Sequence, residues 1–158
     1  MRKITPCLCF KGNAEQAVDF YLSVFKNSRK LQVTHYGSDS PMPEGTVLTV
    51  AFQLEGQDYL ALNADLNSQF TESLSLMVAC DTQEEIDTLW AKLTSGGGQP
   101  GQCGWLKDKF GMSWQLNPSV MEEWISDQDR ARADRVIQAL MPMTKPDLRV
   151  LRQAANAS

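Results

Sequence analysis

Few side chains in this sequence are of the types that catalyse reactions or bind metal ions, and Gln115 is a neutral polar group in the most informative segment. It lies in the segment GQCGWLKDKFGMSWQLNP, residues 101–118, which predicts two short strands joined by a polar turn at residues 108–111. An amide side chain can donate and accept hydrogen bonds, but it lacks the negative charge that favours a divalent cation. Gln115 can therefore hydrogen-bond a polar group, but it is poorly suited to a divalent ion.

The remaining candidates for chemistry are thiols and a single histidine. Cys7 and Cys9 alternate along a predicted strand and point to the same face, an arrangement that would suit a soft metal ion. No second Cys or His pair of suitable spacing accompanies them, and we identify no base that would activate Cys7 as a nucleophile. We interpret both cysteines as packed strand residues and His35 as a partly exposed structural residue.

Composition excludes several classes of function. The chain has 158 residues, 42% of them hydrophobic, which is enough for one domain with a sizeable core. The net charge is −4, and the arginines of residues 130–135 alternate with aspartates, as on a solvated helix rather than a nucleic-acid interface. No apolar run approaches the roughly 20 residues of a membrane span, and no secretory signal follows Met1. We expect a cytoplasmic protein that binds neither nucleic acid nor membrane, with its four cysteines as thiols.

The first half of the chain predicts the order βαβββ. A strand at residues 4–10 precedes an amphipathic helix at residues 14–25, for which Asn13 is the expected N-cap with Gln16 as its partner. Strands are predicted at residues 31–36, 46–54 and 59–63, with a loop at 37–45 and a turn at Glu55-Gly56. This first module covers residues 3–70.

The second half predicts the same order in a shorter form. A strand at residues 74–80 leads to a helix that Thr82 and Glu85 are expected to cap reciprocally. The glycines of residues 96–98 end this helix, and the chain up to Cys103 is too short for a full second strand. Module two, residues 72–118, is therefore either compressed or completed by a borrowed edge.

A helical tail follows at residues 119–156. Ser119 and Glu122 predict a capping box, and Pro146 is expected to open the last helix as its first residue. We expect modules and tail to form a single α+β domain, residues 1–158, with paired βαβββ modules and C-terminal helices.

Five motifs identify a family. ITPCLCF, GNAEQAVDFY, LTVAFQLEGQDYLALN, TQEEID and GQCGWLKDKFGMSWQLNP occur in this order, and the resemblance that they carry covers the chain from Ile4 to about Asp147. Together they resemble the PhnB-like family, often labelled 3-demethylubiquinone-9 3-methyltransferase. It belongs to the vicinal oxygen chelate superfamily, with glyoxalase I, extradiol dioxygenases, and bleomycin- and fosfomycin-resistance proteins. The resemblance implies a glyoxalase/bleomycin-resistance-like fold and a homodimer. Trp105 or the tail helices would contribute to the dimer contact, and the partner would cover an open strand edge near residues 102–107.

The resemblance also implies where a metal would bind. In the metalloenzymes of the superfamily, a His or Glu on the first strand and a Glu or His on the last strand of each module enclose the ion. The corresponding positions here are one of residues 5–7, one of residues 60–63, Ser73 or Ser75, and Gln115, none of which is a histidine or carboxylate. We expect no metal and no cofactor.

The resemblance therefore implies a metal-free cleft for a small molecule, in which we expect Gln115 to orient a polar ligand by hydrogen bonding. Its candidate lining residues combine apolar walls with a few neutral polar groups, and they are Cys7, Phe52, Asn63, Phe70, Ser75, Trp105 and Gln115. Phe52 and Phe70 could instead belong to the core, and Trp105 could contact a dimer partner. Lys107 and Asp108 are expected to hold the turn and its exposed surface.

Two functions remain open. The first is binding of a small organic molecule, which is favoured because no general base is evident in the expected cleft. The alternative is an enzyme of glyoxalase-like, lyase or transferase type, including the methyltransferase of the family label, with Asp39 or Glu44 of the 37–45 loop as possible acid–base groups. Methyl transfer has no independent support, because Lys11-Gly12-Asn13 is not a glycine-rich cofactor turn.

Overall fold

Each half of the chain folds as a four-stranded sheet with a helix against one face. The computed structural model describes residues 3–64 and 69–157. These fall into two compact units divided between residues 68 and 69. Within the described residues both units have the element order βαβββ, which confirms the α+β fold of two similar modules; part of the expected end of module one, residues 65–68, lies outside the described residues.

The first unit follows the expected pattern. Its elements are β1 (Cys7–Phe10), α1 (Ala14–Val24), β2 (Ser28–His35), β3 (Val47–Leu54) and β4 (Gln57–Asn63). The sheet order is β1-β4-β3-β2, in which β1 runs parallel to β4 and the other pairs are antiparallel. Alternate β3 residues, Val50, Phe52 and Leu54, are buried, and α1 packs on this face. The opposite face of this sheet therefore carries Cys7 and Cys9.

The beginning of α1 is held by Asn63 and not by Asn13. The Asn13 side chain makes no capping hydrogen bond, so that expectation is wrong. The Ala14 N–H instead donates to Asn63 Oδ1 at 2.9 Å, and Asn63 Nδ2 donates to the Val47 carbonyl at 2.9 Å. A strand residue distant in sequence thus satisfies a free N–H of the helix and ties it to β3 and β4.

The second unit repeats this arrangement with shorter strands. Its elements are β5 (Ser75–Cys80), α2 (Gln83–Leu93), β6 (Gln99–Pro100), β7 (Trp105–Lys107) and β8 (Ser113–Pro118), with a 3₁₀ turn at Ser95–Gly97. The order β5-β8-β7-β6 repeats that of the first sheet. The compressed second strand is confirmed, because β6 has two residues. The expected open edge near residues 102–107 is wrong, since β7 pairs with β8 on one side and β6 on the other.

The cap of α2 matches the expectation in one of its two hydrogen bonds. Thr82 Oγ1 accepts from the Glu85 N–H at 3.1 Å. The Glu85 carboxylate does not return to the Thr82 N–H but accepts from the Asp81 N–H at 2.8 Å. Both bonds fix the turn between β5 and α2.

The tail forms its own small core. Helices α3 (Met121–Ile125), α4 (Arg130–Leu140) and α5 (Leu148–Asn156) pack around Met121, Trp124, Val136, Leu148, Leu151 and Ala155. Two cap expectations are corrected: Val120 rather than Ser119 occupies the N-cap of α3, without a side-chain bond, and Asp147 caps α5 by accepting from the Val150 N–H at 3.0 Å. Pro146 therefore precedes the cap instead of opening the helix.

Side chains of α2 anchor the start of α5. Gln83 Nε2 donates to the Pro146 carbonyl at 3.1 Å, and Gln83 Oε1 accepts from the Leu148 N–H at 2.8 Å. Lys145 forms an ion pair with Asp87 at 2.5 Å, and this hydrogen-bonded ammonium lowers the pKa of Asp87. The tail is thus a packing element of the second unit. Among the helices of the described residues, none has the length and apolar character needed to cross a membrane.

Candidate ligand site

Strand alternation gives the second sheet one buried face and one open face. Leu106, Trp114 and Leu116 are buried, and α2 packs against the strands that carry them. The intervening residues point to the opposite side, which we call the open face of the second sheet; it carries Ser75, Met77, Trp105, Lys107, Ser113, Gln115 and Asn117.

Gln115 lies in the middle of this open face. It sits beside Met77 of β5 and Trp105 of β7. Its Nε2 donates to Ser75 Oγ at 2.7 Å, a bond that fixes the orientation of the amide. The Gln115 Oε1 acceptor and the Ser75 hydroxyl proton have no hydrogen-bond partner among the described residues. The pair therefore offers a ligand one acceptor and one donor side by side.

Asp108 builds the turn that positions β8. It is 3% exposed, which corrects the expectation that it belongs to an exposed surface. Its Oδ1 accepts from the Phe110 N–H at 2.8 Å and the Met112 N–H at 3.1 Å, and its Oδ2 accepts from Trp114 Nε1 at 2.9 Å. The spacing Asp108 to Gly111 signalled a turn, but the buried contact with Trp114 depends on tertiary packing and was missed.

A cavity of about 490 Å³ adjoins Trp105 on the second sheet. Its polar and aromatic lining residues are Glu72, Gln99, Gln102, Trp105, Lys107 and Ser113. Lys107 Nζ and Glu72 Oε1 form an ion pair at 2.7 Å. A larger cavity of about 650 Å³ lies between the start of α2 and α5, and none of the expected site residues lines it.

The tail supports the loop that forms one wall of the smaller cavity. The Cys103 N–H donates to the Met143 carbonyl at 2.7 Å, and the Gly104 N–H donates to the Thr144 carbonyl at 2.9 Å. Gly104 has φ +86°, and a Cβ there would lie 2.5 Å from the Leu116 carbonyl oxygen, so only glycine fits. The loop conformation is therefore set by contacts with the tail and β8 together.

The structure brings three of the expected site residues together on one face: Ser75, Trp105 and Gln115. Phe70 is partly buried in the segment before β5. Phe52 and Asn63 do not line a ligand wall, which corrects the expectation for both. Phe52 is 0% exposed and stacks on Tyr59 in the core, while Asn63 is 5% exposed and holds the start of α1.

Cys7 lies exposed on the face of the first sheet opposite α1. Although the residue is exposed, desolvation of its thiol group, followed by the neighbouring Cys9 thiol, raises the pKa of Cys7, so its reactive thiolate is disfavoured. All four cysteines are free thiols. Within the described part of the chain, no three His, Cys, Asp or Glu side chains come close enough together to hold a metal ion, and His35 is exposed.

Comparison with known proteins supports the family resemblance. The family model described as 3-demethylubiquinone-9 3-methyltransferase matches residues 2–117, so α3, α4 and α5 lie beyond the match. The PhnB protein of Bacillus cereus is similar in structure, with 39% identity and a TM-score of 0.68 over 74% of this chain and 99% of that chain. Among curated proteins, none matches the sequence.

More distant structures share the fold. Protein PA1353 of Pseudomonas aeruginosa is 20% identical, with a TM-score of 0.61 over 75% of this chain and 98% of that chain. The fosfomycin resistance protein FosX of Listeria monocytogenes is 17% identical, with a TM-score of 0.55 over 78% of this chain and 98% of its own. Together these similarities show a glyoxalase/bleomycin-resistance-like fold.

Proposed function

This chain belongs to the family described as 3-demethylubiquinone-9 3-methyltransferase, and from that premise we propose that it binds a small organic molecule on the open face of its second sheet. Gln115 is the orienting group and Trp105 is the apolar wall. The observation that supports this most directly is the Gln115–Ser75 hydrogen bond of 2.7 Å, because it orients the Gln115 Oε1 acceptor and the Ser75 hydroxyl donor side by side on the open face.

We propose that binding needs no metal ion. An amide that donates to a serine hydroxyl presents only one neutral oxygen, whereas divalent ions are held by several charged or imidazole ligands. The neutral pair binds a neutral polar group without the desolvation cost of a buried carboxylate. Elemental analysis of the dialysed protein checks this point, and one equivalent of bound metal would contradict it.

The second candidate is an enzymatic role, which is supported only by the word methyltransferase in the family description. A nucleotide-like methyl donor is usually bound at the carboxyl ends of a parallel sheet, beside a glycine-rich turn. Here β1 is parallel only to β4, and the turn between β1 and α1 contains Gly12 as its one glycine. The geometry therefore favours binding over methyl transfer.

The proposal includes a homodimer in the cytoplasm. The family resemblance implies the homodimer, and the free thiols Cys7, Cys9, Cys80 and Cys103 fit a reducing compartment. Light scattering at micromolar concentration measures the molar mass and so the oligomeric state. A mass of 17.6 kDa, that of one chain, would contradict a dimer.

A thermal-shift screen of metabolites and aromatic compounds tests the site. A compound that stabilises the wild type should bind Gln115→Ala more weakly, by about 1–3 kcal/mol if a ligand group loses its partner. Gln138→Ala, an exposed glutamine of α4, is the matched control and should bind like the wild type. Equal stabilisation of wild type and Gln115→Ala by every hit would exclude Gln115 from the site. Turnover of a hit only in the presence of added metal would favour the enzyme.

A further inference from the structure

The open face of the second sheet carries a positive charge that is only loosely neutralised. Lys107 of β7 pairs with Glu72, which belongs to the segment before β5. The two side chains are 40% and 67% exposed, so water screens their attraction and the pair contributes little to stability. A ligand carboxylate can therefore replace the Glu72 carboxylate at small cost.

A second donor lies beside this charge. Ser113 of β8 is the register partner of Lys107, and both line the same cavity of about 490 Å³. The Ser113 hydroxyl is buried and has no hydrogen-bond partner among the described residues. Since an unpaired buried hydroxyl is unfavourable, an acceptor that reaches it from the cavity gains a hydrogen bond that the free protein lacks.

An aromatic surface completes the arrangement. Trp105 precedes Lys107 by two residues on the same strand, so both side chains emerge on the open face, and Trp105 lines the cavity as well. The site therefore combines a cation, a hydroxyl donor and a flat ring, which match a carboxylate attached to a planar apolar group.

We infer that the ligand of the open face is a small aromatic acid, whose carboxylate displaces Glu72 from Lys107 and accepts from Ser113 while its ring packs on Trp105. This inference rests on the proposed function, because Gln115 and Trp105 are neighbours in the same sheet. Glu72 is then a competitor for Lys107, and its removal strengthens binding.

Titration of the ¹⁵N-labelled protein tests the inference, with the indole resonance of Trp105 as the reporter and benzoate and neutral benzamide as the probes. We expect benzoate to shift this resonance at lower concentration than benzamide does. Glu72→Gln should tighten benzoate binding about two- to fivefold, as expected for loss of an exposed competing charge, and Lys107→Gln should abolish the preference for benzoate. Glu84→Gln, an exposed glutamate of α2, is the control and should leave both affinities unchanged.

The outcomes separate this inference from the proposed function. Equal affinity for both probes, weakened in Gln115→Ala, would overturn the charge preference and leave the proposed function standing. If benzoate binds more tightly than benzamide and Gln115→Ala leaves both affinities unchanged, the acid site is supported and Gln115 does not contact the ligand. Binding that Glu72→Gln leaves unchanged or weakens, or no binding of either probe, would overturn the inference. The other indole resonances verify that each variant is folded.

Discussion

At the scale of single residues, the site depends on a side chain that does not touch the open face. The Asp108 carboxyl group satisfies two backbone N–H groups of its turn and the indole N–H of Trp114. Trp114 lies between Ser113 and Gln115 in β8 and points to the buried face. The bond from Asp108 to Trp114 therefore fixes the register of the strand that presents Gln115.

Replacing Asp108 by asparagine should be strongly destabilising. The asparagine keeps the size of the side chain, but its NH₂ group faces a donor N–H and leaves it without an acceptor in a buried position. We expect a loss of about 3 kcal/mol in the free energy of unfolding. Urea denaturation measures it, with Asp134→Asn on the exposed side of α4 as the control. A similar small change in both variants would contradict the structural role of Asp108.

Cys80 gives a prediction for pH dependence. Burial, with the negative charges of Glu85 and Asp81 adding to it, raises the pKa of Cys80 to about 12, against 9.0 for an ordinary thiol. A pKa that is higher in the folded state means that the stabilising effect of the neutral thiol is complete below pH 9 and is lost as the pH rises toward 12.

The stability difference between wild type and Cys80→Ala should therefore change above pH 9, by at most about 1.4 kcal/mol per pH unit and to the disadvantage of the wild type. Urea titrations between pH 8 and pH 10.5 measure it, and other titrating groups cancel in the difference. A constant difference over this range would show that Cys80 ionises in the folded protein as it does in the unfolded chain.

At the scale of helices and strands, features that depend on neighbouring residues could be predicted from the sequence, and features that depend on long-range contacts could not. The hydrophobic spacing of residues 14–25 predicted α1, and the Thr82 cap predicted α2. Both signals are local, because the apolar face and the N-cap of a helix are formed by residues close together in sequence. The cap of α1 could not be predicted in this way, because its acceptor is Asn63, 49 residues from Ala14. The same limit applies to Ser75 and Gln115, whose contact exists only once β5 pairs with β8.

The cap of α1 is testable with a matched pair of asparagines. Asn63→Ala removes the acceptor of the Ala14 N–H and the donor to the Val47 carbonyl, and should cost about 2–3 kcal/mol because the helix N–H is buried. Asn13→Ala removes no side-chain cap and should change stability by less than about 0.5 kcal/mol. Urea denaturation of both variants decides between the two asparagines. A larger loss in the free energy of unfolding for Asn13→Ala would show that Asn13 caps α1, as the sequence predicts.

At the scale of the whole molecule, the aromatic residues are distributed so that each unit carries its own reporter. All tyrosines, Tyr21, Tyr36 and Tyr59, belong to the first unit, and all tryptophans, Trp90, Trp105, Trp114 and Trp124, belong to the second. Indole fluorescence thus follows unfolding of the second unit, and ¹⁹F resonances of incorporated 3-fluorotyrosine follow the first.

The sequence predicts a single domain, and these reporters test it. The first unit packs one helix on four strands, and a unit of about 60 residues buries too little surface to be more than marginally stable alone. We therefore expect the two signals to change at the same urea midpoint, as in cooperative two-state unfolding. Leu151→Ala, which opens a cavity in the tail core, should then lower both midpoints together by an amount equivalent to about 2–5 kcal/mol. Separate midpoints, or a shift of the indole signal alone, would show two domains that unfold independently.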